Sequence, residues 1–89
     1  MSIYNRIYSI VEVFLVEATN DGMDPEYIAQ YIPEAIMEDF EVINKNTEGD
    51  DLKNFCKKVI LNEFSKEKSM ECRAKYVTDK IMENFDFSW

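Results

Sequence analysis

The spacing of apolar residues predicts helices along nearly the whole chain, and no segment shows a convincing strand alternation. From Ser2 to Asn20, the apolar positions recur at helical spacing and form one broad face. These positions are Ile3, Tyr4, Ile7, Tyr8, Ile10, Val11, Phe14, Leu15 and Ala18. The helix should end near Asp21-Gly22, because glycine readily takes the left-handed conformation of a helix C-cap.

Two prolines shape the prediction for the next segment. Asp24-Pro25 predicts a new helix, because it combines an N-cap carboxylate with proline in the first turn. Pro33 lacks a backbone donor and disfavours helical geometry at the residue before it. We therefore expect a short helix from Pro25 to Gln30, a bend, and a third helix from Pro33 to about Asn44.

Two further helices are predicted after the polar loop that spans residues 44–50. Apolar residues at helical spacing mark both of them, with a break between Phe64 and Ser69. They are Leu52, Phe55, Cys56, Val59 and Ile60 in the first, and Met70, Ala74, Val77, Ile81 and Phe85 in the second. The fold class predicted is all-α, a compact bundle of four to five short helices in a single domain, residues 1–89.

Charge divides the chain into an acidic half, residues 1–51, and a near-neutral, mildly basic half, residues 52–89. Between Glu12 and Asp51 there are twelve carboxylates and one lysine, a formal charge of −11, whereas residues 52–89 carry eight cations and six acids. Such asymmetry acts on charged partners and does not specify a fold or a reaction.

The residue types exclude most chemistry. The chain has no histidine, and its two cysteines cannot complete a structural zinc site on their own. Ser65 and Lys68 have the spacing of a serine acyl enzyme, but a serine cap is the better interpretation. The loop at residues 44–49 partly matches a calcium-binding EF-hand, although Phe55 stands where the bidentate glutamate belongs. We therefore predict no enzyme activity, no metal site and no cofactor.

No segment indicates secretion or membrane insertion. Glu12 interrupts the apolar N-terminal run, and the longest wholly apolar stretch, Val13 to Val16, is far shorter than the roughly 20 residues that span a bilayer. We expect a cytoplasmic protein with reduced cysteines and no membrane partner.

A row of glutamates is the first candidate for a binding surface. On the predicted third helix, Glu34, Glu38 and Glu41 share the side opposite the apolar residues and form an acidic ridge. Asp21, Asp24 and Glu26 extend the acidic field. The ridge is either an ordinary solvated face or a surface for a basic partner, and the second interpretation includes mimicry of DNA or RNA. Direct binding of nucleic acid by the acidic half is not expected.

Apolar residues at unusual places are the second candidate. Val13 and Val16 fall on the polar side of the first helix, so either another helix of the chain or a second protein covers them. Phe87 and Trp89, in the aromatic C-terminal tail, either pack back onto the bundle or anchor a partner.

No motif assigns the chain to a specific family. Its size, its acidity and its abundance of Asn, Lys, Ile, Tyr and Met are similar to those of small host-directed proteins of tailed phages, several of which bind and inhibit defence or transcription enzymes. The similarity implies a non-enzymatic inhibitor or modulator that binds a basic protein surface. The alternative is a homo-oligomeric structural module that assembles through the first helix and through its complementary acidic and basic halves.

Overall fold

Four helices and a short two-stranded ribbon make up the described part of the chain, residues 2–45, 49–64 and 70–89 of a computed structural model. The elements are α1 (Ile3–Asp21), α2 (Pro25–Asp39), β1 (Glu41–Asn44), α3 (Leu52–Phe64), α4 (Met70–Asn84) and β2 (Phe85–Ser88). The predicted all-α bundle of short helices is confirmed.

Each helix packs mainly on two neighbours, in the order α1, α2, α3, α4 around the bundle. Side-chain contacts between the start of one helix and the end of its neighbour show that adjacent helices run antiparallel. These contacts are Arg6 with Asp39, Tyr4 with Asp79, Glu34 with Lys53, and Phe64 with Arg73. As a result, α2 and α4 end at the same end of the bundle, where β1 and β2 pair.

Aliphatic side chains from all four helices form the core. The inward faces predicted for the helices that correspond to α1, α3 and α4 are correct in most positions. Side chains with at most 1% of their surface exposed include Ile7, Val11, Leu15, Ile28, Ile32, Ile36, Ile60, Val77, Ile81 and Phe85.

The predicted C-terminal end of the first helix is confirmed, and the structure shows that Ser2 caps its start. The Ser2 hydroxyl accepts a hydrogen bond from the Asn5 backbone N–H at 3.1 Å, which satisfies one of the unpaired donors of the first turn. At the other end, Gly22 has φ = 68°, a conformation that any side chain would strain.

The prediction that Pro33 separates two helices is wrong. A single helix, α2, runs from Pro25 to Asp39 with Pro33 buried inside it. Proline removes one hydrogen bond from a helix interior and costs about 3 kcal/mol there. Burial of Ile28, Ile32 and Ile36 on the same face offsets that cost, because each fully buried aliphatic side chain contributes about 1.5–3 kcal/mol.

The predicted helix up to Asn44 is also wrong, and so is the expectation that the chain has no strand. After Asp39, the Phe40 backbone is extended and its N–H closes the last turn of α2 on the Ile36 carbonyl. β1 then pairs antiparallel with β2, with Val42 opposite Phe87. Ile43 is 62% exposed on β1.

Some predictions lie outside the described residues. The break between the last two helices covers residues 65–69, which include the Ser65 and Lys68 pair, and the EF-hand-like loop includes residues 46–48. Among the helices that are described, none is both long enough and apolar enough to cross a membrane.

Candidate interaction surface

The acidic and basic halves of the sequence lie against each other inside one molecule. α2 packs on α3, and Lys53 Nζ lies 3.6 Å from Glu34 Oε1. Lys58 of the basic half binds Asp50 of the acidic half at 2.8 Å. Part of the charge difference between the halves is therefore neutralised within the fold.

The predicted ridge of three helical glutamates does not form. Glu34 and Glu38 stand one turn apart on α2, but Glu41 is an exposed residue of β1, because the helix ends at Asp39. Lys45, which follows β1, binds Asp86 on the neighbouring strand at 3.0 Å.

The other predicted acidic residues lie at the opposite end of α2. Asp24 caps this helix by accepting a hydrogen bond from the Glu26 backbone N–H at 3.0 Å, and both side chains are exposed. Asp21 is the exposed last residue of α1. The distance along the axis from Glu26 to Glu38 is about 18 Å at the usual helical rise. The carboxylates therefore occupy both ends of α2.

Two tyrosines that the sequence interpretation passed over lie between these acidic ends. Tyr27 and Tyr31 are 50% and 36% exposed, and their ring centroids are 4.5 Å apart. Their i, i+4 spacing was the available signal. The predicted bend at Pro33 obscured this signal, because it would have separated both rings from Glu34 and Glu38.

With α2 continuous, five residues follow one another along its outer side at intervals of three and four positions. They are Asp24, Tyr27, Tyr31, Glu34 and Glu38. A hydrogen bond with the Tyr27 phenol is the main cause that raises the pKa of Tyr31 above its ordinary value, and the negative charge of Glu34 adds to it. The ring contact and the spacing on α2 place an aromatic pair next to a carboxylate.

Val13 and Val16 are exposed on α1, at 54% and 37%. Val13 borders a groove of about 230 Å³ between α1 and α2, together with Phe14 and Ala35. Ala35 follows Tyr31 by one helical turn. Within the described residues no helix covers the two valines. We call the set Val13, Val16, Tyr27, Tyr31, Glu34 and Glu38 the α1–α2 face.

All three rings of the aromatic tail contact the bundle, but they are buried to different extents. Phe85 is buried, and half-buried Phe87 meets the Phe40 ring at a centroid distance of 5.9 Å. Trp89 lies 4.7 Å from Phe40 but remains 65% exposed. Trp89 thus presents an apolar side chain at the end of the bundle opposite the turn between α1 and α2.

The described residues include one buried and one exposed thiol and no metal-binding cluster. No group of three histidine, cysteine, aspartate or glutamate side chains in this part of the chain is placed to hold a metal ion. Burial raises the pKa of the Cys56 thiol to about 12, which removes its reactivity as a nucleophile near neutral pH. Cys72 is exposed on α4.

No protein-family model matches the chain, and neither a curated protein nor a solved structure is similar to it at a significant level. The function has to be inferred from the surface of the chain itself.

Proposed function

We propose that this protein is a non-enzymatic inhibitor or modulator that binds a basic surface of a nucleic-acid-binding or defence enzyme in the cytoplasm through its α1–α2 face. One observation carries the proposal: an exposed tyrosine pair shares the outer side of α2 with carboxylates at both ends. Tyrosine is enriched among the residues that dominate binding energy at interfaces.

Charge and apolar surface have different parts in this proposal. The net charge of −8 attracts a basic partner and speeds the encounter, and this attraction weakens as salt is added. Tyr27, Tyr31, Val13 and Val16 supply the area that is desolvated on contact. The association rate of the complex should therefore fall as salt is added. The part of the binding free energy that comes from the apolar contacts should change little with salt.

Mimicry of nucleic acid and a host-directed phage origin are more specific forms of the proposal. Regular carboxylate spacing would favour mimicry, but only Glu34 and Glu38 keep the helical spacing of the predicted ridge. The α1–α2 face, with its mixture of rings and acids, favours docking onto a basic protein surface and does not require the spacing of phosphates.

The test is affinity capture with a matched pair of charge reversals. Glu38→Lys alters the α1–α2 face, and Glu83→Lys makes the same change on α4, diagonally across the bundle. Both positions are near helix C-termini, where a cation is favourable, and this gain offsets the loss of the exposed Lys80–Glu83 ion pair in the control. Wild-type protein and both variants are used as bait at low and high salt, and retained proteins are identified by mass spectrometry.

We expect wild type and Glu83→Lys to retain a nucleic-acid-binding or defence enzyme at low salt, and Glu38→Lys to retain several-fold less of it. Equal recovery with Glu38→Lys would contradict the proposal, because the net charge is the same in both variants.

The exposure of Val13 and Val16 supports a second candidate, a homo-oligomeric module assembled through α1. Contact between acidic and basic halves of different copies has less support, because Lys53 and Lys58 already pair with acids of their own chain. Light scattering at high protein concentration tests this candidate. A strictly monomeric mass excludes it, whereas a dimer that Val13→Ser with Val16→Ser converts to monomer supports it.

A further inference from the structure

The outer row of α2 places one carboxylate beside each ring of an exposed tyrosine pair. Asp24 lies three residues before Tyr27 and lines a shallow cavity with it, and Glu34 lies three residues after Tyr31. The two rings are already in contact at 4.5 Å, so little side-chain freedom is lost when a third planar group stacks on them.

Planar cations and point-like cations should differ on such a surface. A guanidinium stacks on an aromatic ring and donates a pair of parallel hydrogen bonds to a carboxylate. An ammonium group is compact and strongly hydrated, so it meets the same acids without the stacking contact. A row that alternates carboxylate, ring, ring and carboxylate matches the first geometry.

Among the cations in the described part of the chain, Lys53 is the one paired with a carboxylate of this row, and it leaves the row accessible. Lys53 approaches Glu34 only at 3.6 Å, and both side chains are about half exposed, so a guanidinium can compete for that carboxylate. Asp24 uses Oδ1 to cap α2, and its second oxygen takes no part in that bond.

We infer that the α1–α2 face recognises arginine side chains on its partner protein in preference to lysine, with Tyr27 and Tyr31 as the residues that discriminate. This inference rests on the proposed function and names the chemistry of the partner. The acids attract either cation, and the rings distinguish between them.

The test uses two octapeptides with blocked ends, one that alternates arginine with glycine and one that alternates lysine with glycine. Binding is measured by NMR titration of wild type and of two double variants. Tyr27→Leu with Tyr31→Leu keeps apolar area and removes the rings, whereas Tyr27→Phe with Tyr31→Phe keeps the rings and removes the hydroxyls. Circular dichroism verifies that both variants remain folded.

For wild type we expect the arginine peptide to bind more tightly than the lysine peptide, by about two- to fivefold for each tyrosine ring on which a guanidinium stacks. The resonances of Tyr27 and Tyr31 should shift on binding. The phenylalanine variant should keep this preference and the leucine variant should lose it. Equal affinities of wild type for both peptides, or a preference that survives in the leucine variant, would overturn the inference.

Failure of this inference is distinguishable from failure of the proposed function. If neither peptide binds, arginine selection is overturned, while the capture experiment with Glu38→Lys and Glu83→Lys still decides whether the α1–α2 face binds a basic partner. If capture fails and the peptides still discriminate, the proposed function fails and the selectivity stands.

Discussion

The Tyr4 hydroxyl donates a 2.7 Å hydrogen bond to Asp79 Oδ1 and so joins the start of α1 to α4 across 75 positions of sequence. Lys75, one turn earlier on α4, donates to the other oxygen of Asp79 at 2.9 Å. The two donors, Tyr4 first and Lys75 second, hold the pKa of Asp79 below its ordinary value of 3.8. The same contacts raise the pKa values of Tyr4 and Lys75.

This cluster should make stability fall at both extremes of pH. The carboxylate of Asp79 has a lowered pKa in the folded state, so its contribution is present above the unfolded pKa and is lost as pH falls through the folded pKa. Tyr4 and Lys75 have raised pKa values, so their contributions are present below about pH 10 and are lost as pH rises through the folded values.

Asp79→Asn tests the acid side of this dependence. We expect the variant to be less stable than wild type at pH 7 by up to about 1 kcal/mol, because contacts of exposed charges are weak. The difference should shrink as pH falls below the ordinary aspartate pKa of 3.8, because Asp79 itself then becomes protonated. Urea unfolding followed by circular dichroism at several pH values measures it, and a constant difference from pH 7 to pH 2 would contradict the assignment.

Pro33→Ala should stabilise the protein. The change restores a backbone hydrogen bond in the middle of α2 and removes a cost of about 3 kcal/mol, while it loses about 1.6 kcal/mol from two buried methylene groups. The net gain of about 1 kcal/mol should raise Tm by about 4–8 °C. Pro25→Ala is the control, because proline at the first helical position costs nothing, so its Tm should stay close to that of wild type. A lower Tm for Pro33→Ala would contradict the prediction. It would mean that the packing of the proline ring stabilises the fold by more than its helix cost destabilises it.

Phe85→Ala and Trp89→Ala should lower the stability by different amounts, because one ring is buried in the core and the other is exposed. Phe85 is 1% exposed and its ring contacts the Phe55 and Phe87 rings, so its truncation should cost about 3–5 kcal/mol. Trp89 is 65% exposed and should cost less than about 1 kcal/mol. Denaturant midpoints measured under the same conditions compare the two. Similar losses would mean that Trp89 supports the ribbon as much as Phe85 does.

The two thiols should react at very different rates. Cys56 is fully buried with a pKa of about 12, whereas Cys72 is exposed on α4. At pH 8, a maleimide reagent should label one thiol per native chain within minutes and both thiols in denaturant. In Cys72→Ser, native labelling should nearly disappear. Rapid labelling of native Cys72→Ser would show that the bundle opens around Cys56.

Local sequence signals determined the fold class, the end of the first helix and the start of the second. Asp21-Gly22 and Asp24-Pro25 act through capping and backbone geometry, which depend only on near neighbours in the chain. Helical spacing likewise located the inward faces of α1, α3 and α4, because one stripe of each must be buried. These features could be predicted without knowledge of the tertiary contacts between the helices.

Only the tertiary structure decided the middle of α2, the ribbon and the candidate surface. The segment from Phe40 to Asn44 fits either a helix or a strand by its apolar pattern, and pairing with β2, about 45 residues later, selects the strand. Burial on two neighbouring helices outweighs the local preference of Pro33, and the continuous helix then brings Tyr27 and Tyr31 into one row with Glu34 and Glu38. Predictions failed where the winning interaction joins residues far apart in sequence, because its free energy has no local signature.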